Sequence, residues 1–433
     1  MQRSQLSARY ELSVLLGLGL MLLLASAAQA AAHEKILYRF SGGTDGAFPS
    51  SNLVLDASGH LYGTASQGGN TNDCTGSVPG CGVVFELTPS GSGKWREAVL
   101  YAFQGGTDGL EPSGNLVFDS VGNIYGTTYG GGTGTACTAI PGCGTVFELS
   151  PQGDGSWKET VLYSFQDGGD GALPVGLTMD SSGNLYGATI TGGTEFGTVF
   201  ELSPPRHEGG AWKETTLYSF QAFEIQPNPG LVFDAKGNLY GSWYQLYSCY
   251  SGCGAVFELK RVGKSWQETD LYDFPGGGYG GEPMAGVILD SKGHLYGTGA
   301  EGGNNWGIAF ELKRSGGQWA EVILHNFCSL NNCADGSGPQ APLVFDNAGN
   351  LYGTTEWGGT GCSFSQSCGV VFKLARTKFG WKETVLHSFK GEPDGSSPIE
   401  GLTLDGNGNL YGTTWGGGKG RNSGYGTVFE VTP

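Results

Sequence analysis

Residues 401–415 read GLTLDGNGNLYGTTW, and residues 427–431 read TVFEV. A short β-type run ends in Asp, a Gly-Asn turn follows, a second run is built on Leu-Tyr-Gly, and a Gly-rich loop leads to a third run. This is the punctuation of consecutive antiparallel strands joined by tight turns. The same string occurs seven times, as GHLYGTA, GNIYGTT, GNLYGAT, GNLYGSW, GHLYGTG, GNLYGTT and GNLYGTT. Its tyrosines, Tyr62, Tyr125, Tyr186, Tyr240, Tyr296, Tyr352 and Tyr411, are spaced 63, 61, 54, 56, 56 and 59 residues apart. A fourth run, typified by WKETVLYSF, closes each unit. The four runs are called A, B, C and D in chain order. Four strands per unit, repeated without intervening helices, predict an all-β, seven-bladed β-propeller of four-stranded antiparallel blades. A solenoid also repeats, but its units are usually shorter and its ends need caps.

The ends of the chain support the ring. A lone D run, KILYRF, opens the sequence after its first thirty residues, and a C run, GTVFEV, closes it. The N-terminal strand is therefore expected to complete blade 7, Leu37 to Phe40 lying beside Thr427 to Val431, which removes the two free sheet edges of an open array.

Composition agrees with this reading. Of 433 residues 80 are Gly and 18 Pro, while 38% are apolar and 15% charged. That is too apolar for disorder, lacks a Gly-X-Y period, and leaves no long amphipathic stretch for a helical bundle or a doubly wound α/β enzyme. The net charge of −17 makes nucleic acid a poor partner. Arg3 and Arg9, the apolar run Val14 to Leu24 and the small residues Ala28 and Ala30 read as a secretory signal over residues 1–30. A single propeller domain, 31–433, is expected to remain, secreted or periplasmic, monomeric and without a membrane span. Ten cysteines fall into five close pairs: Cys74 and Cys81, Cys137 and Cys143, Cys249 and Cys253, Cys328 and Cys333, Cys362 and Cys368. Local even pairing on an exported chain predicts disulfides rather than metal sites.

The composite unit GLxxD, GNLYGTT, GG and GTVFEL, carried over residues 36–433, resembles the choice-of-anchor tandem repeat family called GloVer-containing, secreted bacterial repeat proteins. The resemblance implies the repeat and no reaction.

A repeat protein contains its own control, since what recurs in every unit serves the fold and what occurs once is free to serve function. Asp56, Asp119, Asp180, Asp234, Asp290, Asp346 and Asp405 end every A strand and are expected to hold the A–B turn. A calcium reading of these DxxGN turns supplies one carboxylate each, few for a tight site, so no cofactor is expected. Trp95, Trp157, Trp212, Trp266, Trp319 and Trp381 open D strands and read as outer-face packing. Trp243, Trp306, Trp357 and Trp415 have no counterparts and all lie in B–C loops, as do Tyr129, Tyr244 and Tyr247. B–C and D–A loops leave an antiparallel meander on one face, where all five cysteine pairs also lie. A stiff rim bearing aromatic rings suits a polysaccharide or another extracellular ligand, with rings stacking on the apolar faces of sugars. The alternative is that these indoles plug the channel or pack loop on loop.

Catalysis on polysaccharide, by a hydrolase or a lyase, is the second function class. Hydrolysis needs paired carboxylates, and Glu301 and Glu356 stand beside unit-specific aromatics, with Glu195, Glu111 and Glu282 in neighbouring loops. His325 and His387 replace the D-strand Tyr and read as structural. No Gly-x-Ser-x-Gly elbow, HExxH or phosphate-cradling loop is present.

Overall fold

The computed structural model describes residues 32–69, 74, 79–138, 140–194, 196–207, 209–221, 226–244, 254–276, 280–362, 368–419 and 424–433. The expected leader, the pair Cys249 and Cys253, Glu195 and Tyr247 lie outside the described residues.

Alternating apolar residues, β-branched side chains and Gly/Asp turns make each unit a sheet of four antiparallel strands. In blade 6 these are Val344–Phe345 (A), Leu351–Thr355 (B), Val370–Thr377 (C) and Gly380–Ser388 (D), hydrogen-bonded in that order. Seven such sheets form a seven-bladed β-propeller. In blade 7, A (Thr403–Leu404), B (Leu410–Thr414) and C (Thr427–Thr432) are joined by the N-terminal strand His33–Arg39, which pairs antiparallel with C. The expected closure is present. Blade 1 carries one addition: Ala47–Pro49 also pairs with its B strand.

Two recurring devices explain the repeat. The Phe ending each D strand packs edge-on against the Phe of the next blade's C strand, as in Phe103 on Phe147 at 5.2 Å and Phe327 on Phe372 at 4.9 Å. The series continues across the junction of the chain ends, with Phe389 on Phe429 at 5.0 Å and Phe40 on Phe85 at 5.2 Å. All seven pairs are fully buried, forming one aromatic belt around the ring. The Gly after each B-strand Tyr lies under the C-strand Phe. A Cβ on Gly126 would sit 2.5 Å from Phe147 Cζ, and one on Gly412 2.6 Å from Phe429 Cζ. Any side chain there displaces the belt, which is why the motif is Tyr-Gly in every unit.

The strand-A aspartates hold the turns as expected. Asp346 Oδ1 accepts the N–H of Ala348 and of Asn350, and its Oδ2 accepts Asn350 Nδ2 and Tyr352 Oη. The D-strand indoles lie half-buried across blade boundaries, Trp95 against Tyr411 and Trp381 against Tyr296. Four disulfides are present among the described residues: Cys74–Cys81, Cys137–Cys143, Cys328–Cys333 and Cys362–Cys368. Among the described residues no helix is long and apolar enough to cross a membrane.

Candidate functional site: one rim and the central channel

Each D–A loop reaches the rim at an X-Pro step whose X residue takes the left-handed conformation. Phe48 (φ 57°), Glu111 (53°), Leu173 (58°), Gln226 (67°), Glu282 (48°), Gly338 (62°) and Ser397 (54°) form this circle, one per blade. Non-Gly residues there carry strain, which is offset by hydrogen bonds on both sides. The N–H of Glu111, Leu173 and Ser397 donates to the carbonyls of Cys81, Cys143 and Cys368 in the preceding blade. Their carbonyls, or those of equivalent residues, accept from the end of the blade's own B strand, as Ser397 O does from Trp415 N and Gly338 O from Glu356 N. The disulfides therefore brace the joint between neighbouring blades at the rim. Blades 3, 5 and 7 lack a B–C disulfide and place Phe196, Trp306 and Tyr425 where the second Cys stands elsewhere, and the carbonyls of Trp306 and Tyr425 accept the same inter-blade bond from Gly338 and Phe48.

The four unmatched indoles share the rim but not one environment. Trp243 is buried, packed in the core between blades 3 and 4, with Nε1 donating to Asp270 Oδ1 at 3.2 Å. It supports the rim and presents no ring to solvent. Trp306, Trp357 and Trp415 remain 37%, 40% and 44% exposed, where the D-strand indoles are half-buried. Trp415 stacks on Phe48 with centroids 4.6 Å apart and planes at 23°, so its outer face is held ready for a second stack. Trp357 lies over Gly338, where a Cβ would come within 2.6 Å of the indole. Tyr244 donates to Gln226 Oε1 at 2.5 Å. Burial and then Glu111 raise Tyr129, and burial, then Glu282 and Tyr129, raise Tyr244, so both phenols stay neutral.

The carboxylates at the mouth fall into two arrangements. Glu282 and Glu301 are neighbours through the bridge Gly281 to Glu301, and Glu282 is raised above the ordinary carboxylate range by burial and then by Glu301. Glu356 belongs to another arrangement: it accepts Gln340 Nε2, and burial raises it. Among the described residues no contact brings Glu301 and Glu356 together. Glu111, raised by burial, stands near Tyr129.

Below the mouth is a central cavity of about 280 Å³, to which every blade contributes lining. Asn52, Asn115, Gln340 and Glu400 supply polar groups, and Met284 and Ile399 supply apolar ones. Sequence reasoning missed Glu400. The legible signal was its place in the Pro-x-x-Gly/Asn/Pro run that opens strand A, where other blades put Ser51, Gly114, Pro229, Ala285 and Ala341. Glu400 is enclosed by protein, its remaining accessible area facing the channel rather than bulk water, and burial alone pushes its carboxyl up to about 7.

Away from the rim, Glu34, His387 and Asp394 place ligand atoms within 4.8 Å of one another. This is the His form of a recurring clasp. Tyr101 donates to Asp108 and Tyr163 to Asp170, both at 3.0 Å, while His387 Nε2 meets Asp394 at 3.2 Å and His325 Nε2 meets Asp335 at 3.1 Å. Asp394 also accepts the Lys390 N–H. We expect His387→Tyr to leave thermal stability within about 0.5 kcal/mol of wild type, because Tyr makes the same bond in other blades; calorimetry with and without added Zn²⁺ checks this, and a zinc-dependent rise in Tm confined to wild type would make the cluster a metal site.

A model of the Gloeobacter/Verrucomicrobia repeat matches residues 24–248 and again residues 226–433, together nearly the whole chain. The chain belongs to that family. None of the curated proteins matches its sequence. Among solved structures, this Gloeobacter/Verrucomicrobia repeat protein is similar to a protein from Lactobacillus plantarum, at 15% identity and TM-score 0.50, over 82% of this chain and 88% of that one. It is also similar to an ulvan lyase, a polysaccharide lyase solved with -[GlcA(1-4)Rha3S]- bound, at 10% identity and TM-score 0.52, over 92% of this chain and 95% of that one. These likenesses show the propeller fold.

Proposed function

We propose that this protein is exported and binds a polysaccharide on the rim where the B–C and D–A loops emerge, through Trp357 of blade 6 and the stacked pair Trp415 and Phe48 at the closure of the ring. The exposure of Trp357 and Trp415 on one side of a propeller whose D-strand indoles are half-buried carries this reading. Stacked or backed rings are preorganised, so a sugar face meets them without ordering cost. Trp306 extends the surface toward blade 5, and Tyr129 and Tyr244 provide neutral hydroxyls across the mouth. Disulfides at the joints suit an oxidising compartment. That a propeller of similar architecture holds a glycan in the ulvan lyase is compatible with the reading and does not carry it.

The acidity of the mouth favours a neutral glycan. Glu111, Glu282, Glu301 and Glu356 would repel uronate or sulfate groups. For hydrolysis, the neighbouring Glu282 and Glu301 are the pair to test, in place of Glu301 with Glu356.

The experiment is incubation of purified protein with neutral and anionic polysaccharides, reading both retention in affinity gels and released oligosaccharide. Retention of a neutral polysaccharide is expected, weakened at least ~10-fold by Trp357→Ala and by Trp415→Ala. Retention unaffected by either change would remove the rim from the account. Products abolished by Glu282→Gln or Glu301→Gln would make the protein an enzyme.

A further inference from the structure

In blades 5, 6 and 7 the second residue after the rim proline performs one backbone task. Its carbonyl accepts a hydroxyl from the B strand of the preceding blade: Ser242 Oγ to Ala285 O at 2.7 Å, Thr298 Oγ1 to Ala341 O at 2.9 Å, Thr354 Oγ1 to Glu400 O at 3.0 Å. Ala suffices for that bond in blades 5 and 6. In blade 7 the backbone does the shared work and the Glu400 side chain is surplus to it, facing the channel. A carboxyl held away from bulk water is costly to the fold, so its side chain answers to something other than folding.

We propose that the channel seats the terminal sugar of a neutral glycan, with Glu400 and the carboxamides of Asn52, Asn115 and Gln340 as its hydrogen-bonding partners. The inference rests on the rim reading above and adds the subsite and the end of the chain it takes. The cavity, about 280 Å³, lies at the lower edge of the ~300–1,000 Å³ of small-ligand sites. It admits a single ring, so a chain can enter only end-first. Its lining has the two-sided character a pyranose needs: Met284 and Ile399 present apolar surface, while carboxyl and amide groups take hydroxyls. Asn52 Oδ1 already accepts Gly401 N–H, which fixes the amide plane and leaves its N–H groups for a ligand. Gln340 lines the cavity and also donates to Glu356 at the mouth, so channel and rim are one continuous surface. Near neutrality the Glu400 carboxyl, raised by its enclosure, keeps a proton to donate, which suits a neutral hydroxyl and disfavours an anionic sugar. One carboxylate amid apolar side chains is a poor cage for a divalent cation.

The probes are neutral cello-, manno-, xylo- and laminari-oligosaccharides, each also capped at its nonreducing end and reduced to the alditol at the other, titrated calorimetrically into wild type and Glu400→Leu. We expect one series to bind, one of its two end modifications to weaken binding at least ~10-fold, and Glu400→Leu to lose binding to the same degree while its Tm rises, because the buried carboxyl is gone. The rise in Tm excludes misfolding as the cause. Binding indifferent to both end modifications and to Glu400→Leu, yet sensitive to Trp357→Ala, overturns the channel subsite and leaves the rim standing. No binding by wild type overturns both, and a Ca²⁺ titration that responds to Glu400→Leu without any sugar response replaces the sugar with a cation.

Discussion

Deletion of residues 32–40 is expected to abolish cooperative folding. The strand His33–Arg39 supplies the outer edge of blade 7 through six ladder pairs with Thr427–Thr432. Phe40, fully buried, joins blade 7 to blade 1 through Phe85. Without them the ring gains two free edges and a gap in its aromatic belt. The single change Phe40→Ala tests the same joint more gently and should cost about 3–5 kcal/mol, as for large-to-small changes in other cores. Phe103→Ala, at an equivalent joint, should cost about the same. Equal losses in urea unfolding support closure, whereas a loss at Phe40 under a quarter of that at Phe103 would mean that the chain ends are not clasped.

The second large effect is on pH. Half-buried Glu97, Glu159, Glu214, Glu321 and Glu383, one per D strand, are pushed by burial up to about 7. Oε1 of Glu97, Glu159, Glu321 and Glu383 is buried without a hydrogen-bond partner among the described residues. A carboxyl raised on folding makes the native state bind more protons than the unfolded chain between about 4.5 and 7. Its stabilising contribution is full below the unfolded value and is lost as pH rises through 7. The turn aspartates act in the opposite sense. Asp119, Asp234, Asp346 and Asp405 are lowered by turn N–H and side-chain bonds that outweigh burial, and Asp335 is held at about 2 by bonds from His325, Ser329 and Leu330 against its burial. Their contribution disappears as pH falls below the ordinary 3.8. Stability should therefore peak near pH 4.5. Because the glutamates are partly solvated, their effect is discounted, and Tm is expected to fall by on the order of 5–10 °C between pH 5 and pH 8. A Tm that instead rises over that interval would show that these carboxyls ionise normally in the folded ring.

The propeller was legible because its determinants are local and repeated. Turn Asp, Tyr-Gly and the D-strand Phe each recur at a fixed offset, so one unit explains the others. The lone D run at residues 35–40 made closure legible as well. The rim was legible as a location, since B–C and D–A loops must share a face. Environment was not: Trp243, Trp306, Trp357 and Trp415 look alike in sequence, yet one falls on strand B and turns into the core while three lie further along the loop. Sequence also could not place carboxylates across loops of unequal length, so the nearness of Glu301 to Glu282 through the bridge at Gly281 was not legible. Glu400 was hidden for a different reason. It stands in a scaffold position, and the hydroxyl-to-carbonyl bonds of blades 5, 6 and 7 are what align it with Ala285 and Ala341.

Hydrogen exchange of the protein, free and with the neutral polysaccharide it is proposed to bind, is the most direct check on where the molecule does its work. Slowed exchange should be confined to the loops around Glu301, Trp357 and Trp415 and to the channel segment Ser396–Leu402, with the A–B and C–D turns on the opposite face unchanged. Protection centred on those turns, or spread along the outer D strands, would contradict the account.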